Sequence, residues 1–362
     1  MNAQTSRVDV LFVIAPHSLL LDIAGPAEAF RLANLCHAER GRAPRFRLRF
    51  AGIESGPATS VGLALGALEP LPATLPSPTW VVVVGQPSAV VCAPTPAMDQ
   101  TARWLAQTLR THLQAPDSPH RLITICSGTL LAARAGLLDD RRCTTHHDLI
   151  DLLRSVAPGA RIIENRAFLV DGPLASSAGV TAGIDLALHL IASECGDAVA
   201  AAVAQDMVVY LRRSQLDPEL SPFLAHRRHT HAAVHRVQDA VGAAPERDWD
   251  MAAMARVAHV TQRHLLRLFV RHAGVSPLHY LEAMRLEHAR QSLEHGSNVT
   301  TAAEFAGFSS GLQLRRAWKR QWGGSPRDAL VSVAVRSAPC LPHAPARTTV
   351  AQERHGLKHP IA

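Results

Sequence analysis

The run Trp80-Val81-Val82-Val83-Val84, closed by Gly85, sets the tightest limit on what this chain can fold into. Five apolar residues in a row, four of them β-branched, suit a strand covered on both faces. Such a strand needs neighbours, and the first half of the chain supplies them. Val8–Ala15 is a second apolar run, Phe46–Gly52 alternates like a half-buried strand, and Arg121–Ile125 is a further strand. Helical stretches lie between and after them: Gly25 to about Cys36, Pro96–Leu113, and Thr129–Ala135, with Gly136 placed to stop the last. A short hairpin is expected near Ile162–Asp171, and apolar helices from about Thr181 to Tyr210. Strand–helix alternation of this kind predicts an open α/β sheet with helices on both faces.

With 362 residues the chain is long enough for two domains. Its texture changes after Leu211. Residues 212–235 hold two prolines, several charges and a run of histidines, and read as an interdomain linker between a body at 7–211 and a helical region at 236–336. Residues 337–362, rich in Pro, Ala and His, have no periodicity and read as a disordered tail. No apolar run approaches the ~20 residues that span a bilayer, and the start MNAQTSRVDV carries no cleavable signal pattern. The six cysteines lack CxxC spacing, which argues against a zinc site or a disulfide framework. A cytoplasmic setting is therefore expected. His226, His229, His231 and His235 raise the question of a metal, but no Cys or paired carboxylate completes a regular spacing. The reading is no metal and no cofactor.

Net charge is +7, and its distribution matters more than its size. Residues 231–336 hold fourteen Arg or Lys against nine Asp or Glu, and nearly all the cations are Arg, the residue suited to bidentate phosphate and guanine contacts. Charge alone fits a solvated helical surface equally well. The pattern within the region is sharper. Met251–Ala258 is a short Ala-rich helix, His259-Val260-Thr261 a turn, and Gln262–Phe269 a second helix that Thr261 can cap. Leu265, Leu268 and Phe269 share one face of it, while Arg263, Leu266 and Arg267 share the other. The same grammar returns in Thr301–Ala306, the turn Gly307-Phe308-Ser309, and a helix from Ser310 to Arg320. There Leu312, Ala317 and Trp318 are assigned to the buried side, and Ser310, Gln313, Arg315, Arg316 and Lys319 to the polar side. A long helix, Pro277–His295, would hold the two units at a fixed separation; roughly 34 Å would let both enter successive major grooves.

This region resembles the AraC/XylS family of regulators. The residues that carry the likeness are Arg263-His264-Leu265, Leu268-Phe269, Gly274–Pro277, Tyr280, Arg285-Leu286, Ala289-Arg290, Ala306–Ser309 and Gly324-Ser325-Pro326. Trp318 stands where Phe is usual, and Gly323-Gly324 precedes the Ser-Pro. The resemblance implies two helix-turn-helix units in an all-α domain on double-stranded DNA. Arg263, His264 and Arg267 of the first unit, and Ser310, Gln313, Arg315, Arg316 and Lys319 of the second, would face the duplex. Arg pairing with guanine and Gln with adenine would each be worth ~1–3 kcal/mol of discrimination; any of them could instead grip phosphate.

In the first half, the strand Ile123-Thr124-Ile125 runs into Cys126-Ser127-Gly128 and at once into a helix. A thiol at such a turn faces the positive end of the helix, which is expected to lower its pKa. Asp22, after the first strand, is placed to reach the same sheet edge. Asp22, Gly25-Pro26, Gly85, Cys126, Gly128, Ala135–Leu138, Thr144–His146 and Ser177–Gly179 are similar to the glutamine amidotransferase-like superfamily, in the branch of intracellular proteases and isonitrile hydratases. That likeness implies a flavodoxin-like α/β sandwich with Cys126 at the nucleophile position and Asp22 as its acidic partner. Ser127 departs from it, because proteolytic members carry His there; His146 is a substitute only if the fold brings it close.

The two halves together look like the GlxA-type group of regulators. The combination implies a DNA-binding transcription regulator, an activator in preference to a repressor, whose α/β domain senses a small nitrogenous or amino-acid-like effector through Asp22, Gly85, Cys126, Ser127 and His146. RNA polymerase and a second copy of the chain are the further partners implied, with no membrane. Three roles stay open for Cys126: ligand-lining or structural, redox-sensing, or catalytic. The main rival is a cysteine-dependent hydrolase or hydratase using Cys126 and Asp22; a DNA-compacting binder is a third reading.

Overall fold

A computed structural model describes residues 7–326 apart from 67, 76, 77, 94, 116, 117, 210–212, 216 and 295. The expected tail at 337–362 lies outside the described residues. Seven strands form one sheet in the order Glu69–Pro70, Phe46–Gly52, Val8–Val13, Thr79–Val83, Arg121–Ile125, Leu174–Ser177 and Phe168–Asp171. All neighbours are parallel except the last pair. Thr79–Val83 is buried along its whole length, as a β-branched central strand requires.

Helices Leu20–Glu39, Thr181–Cys195 and Asp197–Asp206 cover one face over a core that includes Phe12, Phe30, Phe46 and Trp80. Helices Pro96–Gln114, Gly128–Arg134 and Ile150–Val156 cover the other, over Val81, Val83, Leu105, Leu109 and Leu122. Full burial of each such side chain is worth about 1.5–3 kcal/mol, so the two layers hold the sheet from both sides. The body is thus the flavodoxin-like sandwich expected. Two details differ. The first helix begins at Leu20, so Asp22 sits in its first turn. The hairpin is Phe168–Ser177, whereas Arg161–Ile162 pairs in parallel with Arg142–Cys143 in a small separate sheet. Leu174-Ala175 is shielded on both faces and prefers the main sheet; the expected hairpin fell one strand too early.

The second half is helical among the described residues: Ala232–Ala243, Met251–Ala258, Gln262–Ala273, Pro277–Glu294, Val299–Phe305 and Gly311–Trp322. It has two cores. Val234, Val237, Met254, Leu265, Phe269 and Tyr280 form the first, and Ala302, Ala303, Phe308, Leu314 and Trp318 the second. The long helix joins them, giving Tyr280, Leu281 and Met284 to one and Leu286, Ala289 and Leu293 to the other.

The stretch read as linker divides into two docked pieces. On the body side, Arg213 donates from its backbone and Nε to Asp185 (2.9 and 2.7 Å), and Ala167 N–H donates to the Asp217 carbonyl (2.9 Å). On the other side, Phe223 packs into the first helical core and His226 Nδ1 lies 3.0 Å from the Ala273 carbonyl. The helix that follows starts at Ala232, inside the expected linker.

Candidate nucleic-acid interface and sheet-edge site

Each helix-turn-helix unit is capped by the side chains that its turn supplies. Thr261 Oγ1 accepts from the His264 N–H (3.3 Å), and Ser310 Oγ from the Gln313 N–H (3.3 Å). Asp250 and Asn298 cap the preceding helices. These bonds answer donors that a helix start leaves open, and each is worth about 1 kcal/mol. Gly274 and Gly323 end the second helices in the left-handed conformation.

On Gln262–Ala273, Arg263, Leu266 and Arg267 face solvent, His264 is half-buried, and Leu265, Leu268 and Phe269 are buried, as the spacing predicts. Arg267 Nη2 sits 2.9 Å from His264 Nδ1, which aims the guanidinium along the exposed face. On Gly311–Trp322, Gln313, Arg315, Arg316 and Lys319 are exposed. Leu312 is a correction: it is 54% exposed, and Leu314 takes the buried place with Ala317 and Trp318. Starting from Ala317, the core stripe steps back three residues to Leu314 rather than five to Leu312, as the 3.6-residue period requires. Ser310 serves as the cap, so its hydroxyl is already engaged with its own helix.

Ser309, read from the sequence only as part of the turn, changes the chemistry of Gln313. The Gln313 carboxamide oxygen accepts from both the Ser309 N–H (2.8 Å) and the Ser309 hydroxyl (2.9 Å). The acceptor half of the amide is therefore occupied, leaving its N–H donors. The bidentate adenine pair expected for Gln313 needs both halves.

At the sheet, Asp22, Gly85 and Cys126 follow the C-terminal ends of three adjacent parallel strands, the edge where open α/β sheets hold ligands. They meet closely. A Cβ on Gly85 would lie 2.7 Å from Asp22 Oδ2, 2.8 Å from Cys126 Cβ and 3.1 Å from Ser127 Oγ, so only glycine fits between them. The Gly85 N–H donates to Asp22 Oδ2 (3.1 Å). Burial pushes the Asp22 carboxyl up to about 6, against the pull of that hydrogen bond and of the Val180 N–H. Asp22 Oδ1 and Ser177 Oγ are buried with no hydrogen-bond partner among the described residues.

Cys126 adopts φ +55° at this turn, a strained conformation for a residue with a side chain, under Gly179, whose Cβ position lies 3.0 Å from its Sγ. The expected acidic thiol is not found. Burial, with the Asp22 charge adding to it, pushes Cys126 up to about 12. Burial costs the thiolate more than the following short helix returns. Ser127 is also committed: its Oγ accepts from the Gln86 N–H and donates to the Gln86 carbonyl, each at 2.7 Å. It pins two strand ends together.

His146 is half-buried and stacks on His147 (4.2 Å between centroids), with its Nδ1 accepting from the Asp148 N–H (3.3 Å) rather than facing Cys126. His147 Nδ1 lies 2.8 Å from Oε1 of Glu219, a residue in the stretch read as linker. Glu219 also acts electrostatically on Cys126. Beside it opens a cleft of about 350 Å³ between body and helical region, lined by His147, Glu219, Leu220, His279, Leu286 and Trp322 among others. Glu219 carries no sequence signal beyond its charge; only the docking of Arg213 and Asp217 beside it brings it here.

Residues 254–330 match the family model for a helix-turn-helix domain, and residues 101–193 that of the DJ-1/PfpI family. The chain is 29% identical over 344 residues to the HTH-type transcriptional regulator CdhR of Pseudomonas aeruginosa, covering 93% of this chain and 96% of that protein. It is 34% identical over 210 residues to the HTH-type transcriptional regulator GlxA of Rhizobium meliloti, covering 57% of this chain and 64% of that one. Among solved structures, an AraC family transcriptional regulator from Pseudomonas putida aligns with a TM-score of 0.44 at 22% identity, over 56% of this chain and 100% of that one.

Proposed function

Because the chain belongs to the GlxA-type regulators of the AraC/XylS family, with a DJ-1/PfpI-type domain ahead of the helix-turn-helix domain, it is a DNA-binding transcription regulator, and we propose that its α/β body is the sensor. The observation that carries this reading is Asp22: a carboxylate wholly buried at the ligand-binding edge of the sheet, whose Oδ1 makes no full hydrogen bond and has only the backbone N–H of Val180 acting on the carboxyl beside that of Gly85. An unsatisfied buried acceptor costs about 1–3 kcal/mol, and a ligand N–H or O–H would relieve it. The proposed effector is a small nitrogenous or amino-acid-like molecule that donates to Asp22 beside Gly85, Cys126 and Ser127. Cys126 supports binding over catalysis, since burial holds its thiol protonated.

Division into a sensing body at 7–211, a junction, and a DNA-binding region from about 236 to 336 belongs to the same proposal. Arg263, His264 and Arg267, with Ser310, Gln313, Arg315, Arg316 and Lys319, are the proposed contacts to the duplex; the solvent exposure of the arginines, Gln313 and Lys319 supports this. Action as an activator through RNA polymerase, as a homodimer in the cytoplasm, completes the reading. A thermal-shift screen of metabolites against the full chain tests it. A stabilising ligand should lose its effect in Asp22→Ala and keep its effect on DNA affinity in Cys126→Ala. If Cys126→Ala abolishes turnover of that ligand along with the response, the hydratase reading replaces this one.

A further inference from the structure

We propose that His146, His147 and Asp148 form a transition-metal site for which the protein's own Arg228 competes. This inference stands apart from the effector reading. One donor atom from each of the three residues lies within 4.8 Å of the others. His147 Nε2 is 3.5 Å from Asp148 Oδ1, and His146 Nδ1 is 3.8 Å from Asp148 Oδ2. Tetrahedral coordination at metal–nitrogen distances of ~2.0–2.1 Å places neighbouring donors roughly 3.3 Å apart, so the three side chains would close by up to about 1.5 Å around an ion. The set of two imidazoles and one carboxylate suits Zn²⁺, Co²⁺ or Ni²⁺ rather than Mg²⁺ or Ca²⁺.

Two independent observations mark the site as built for a cation. A cation already lies there: Arg228 Nη1 is 2.9 Å from Asp148 Oδ1 and 3.3 Å from His147 Nε2. A guanidinium N–H requires that Nε2 present its lone pair, so the His147 proton resides on Nδ1, which donates to Glu219 Oε1 at 2.8 Å. That carboxylate–imidazole pair is the arrangement that orients a metal-binding histidine. The His146 Nδ1 lone pair is held only by a long bond from the Asp148 N–H (3.3 Å), and the cleft lined by His147 gives an ion access.

Arg228 and a metal ion cannot occupy this place together. Arg228 belongs to the stretch docked on the helical region, and Asp148 to the body, so their pair is a latch between the two. A bound metal would expel Arg228 and open it, coupling metal concentration to the hold of the body on the DNA-binding region.

Titration of the untagged full chain with Co²⁺, followed by its visible absorption, tests the proposal. One saturable equivalent is expected. His147→Ala should remove it, Glu219→Gln should weaken it by about tenfold, and Arg228→Ala should tighten it by roughly tenfold or more because a competing cation is gone. Tighter binding in Arg228→Ala cannot arise from misfolding. Unchanged or weaker Co²⁺ affinity in Arg228→Ala, saturable binding that survives His147→Ala, or binding lost instead in His229→Ala/His231→Ala, would each overturn the proposal.

Discussion

Gly307 stands directly against Glu246: a Cβ on Gly307 would lie 2.6 Å from the Glu246 Cα and 2.8 Å from its carbonyl oxygen, at a backbone φ of +79°. The turn of the second helix-turn-helix unit is thereby seated on the loop that leads into the first. Arg285 grips that loop from the connecting helix, donating to the Pro245 and Arg247 carbonyls at 2.8 Å each. Gly307→Ala meets rigid backbone as well as an unfavourable φ, and is expected to destabilise the protein by roughly 2–4 kcal/mol in urea unfolding. A loss under about 0.5 kcal/mol would show that the contact is dispensable.

Gln313 should read an acceptor, since Ser309 holds its carboxamide oxygen. With a binding site selected from random DNA in hand, Gln313→Ala is expected to relax discrimination at one base pair by ~1–3 kcal/mol, with guanine rather than adenine preferred there by the native chain. Ser309→Ala should shift that preference toward adenine. A native preference for adenine would refute the assignment.

Exposed arginines divide by role under salt. Alanine at a phosphate-gripping position should lower the slope of log K against log[salt] by about 0.9 and leave base preference intact; at a base-reading position the reverse holds. Arg263, Arg267, Arg315 and Arg316, measured by anisotropy at several salt concentrations, are expected to include at least one base reader in each unit. Uniform behaviour as phosphate grips would leave specificity to the remaining side chains.

Stability should fall as pH rises through the range set by Asp22. Its carboxyl titrates at about 6 in the folded protein against 3.8 in the unfolded chain. Between those values the folded state keeps a proton that the unfolded state releases. The stabilisation is complete below about pH 4 and lost above pH 6, up to ~3 kcal/mol in all. Asp22→Asn should flatten this dependence and raise the midpoint of thermal unfolding at pH 7.5. A variant as pH-sensitive as the native chain would place the perturbed group elsewhere.

Native-state alkylation should spare Cys126. Its thiol is buried and pushed up to about 12, whereas Cys92 is exposed. Mass spectrometry after brief iodoacetamide treatment at pH 7.5 is expected to find Cys92 modified and Cys126 untouched. Rapid labelling of Cys126 would restore its reading as a sensing thiol.

Much of this architecture is legible in the residues themselves. Trp80–Val84 announces a doubly covered sheet, and Thr261 announces the helix that it caps, because period and capping are local effects. Cys126 and Asp22 could be placed at one sheet edge for the same reason: each follows a strand. Their protonation could not be foreseen, since it depends on how completely other elements bury them. Leu312 and Leu314 show a misjudged phase: counted back from Ala317 and Trp318, the 3.6-residue period already selects Leu314, which packs with Phe308. The roles of Glu219 and Ser309 were invisible because they come from what these residues touch.

The junction between the two halves has a mechanical consequence. Arg213, Asp217 and Glu219 are fastened to the body and Phe223 to the helical region, with Leu220 and Ser221 between them, and Asp217 also pairs with Arg290 of the long helix (3.4 Å). Two residues reach at most about 7 Å. The DNA-binding region therefore cannot drift away as on a loose tether. Any signal from the body must arrive as a change of angle, a swivel about Leu220 and Ser221 that tilts the reading helices against the axis of the duplex.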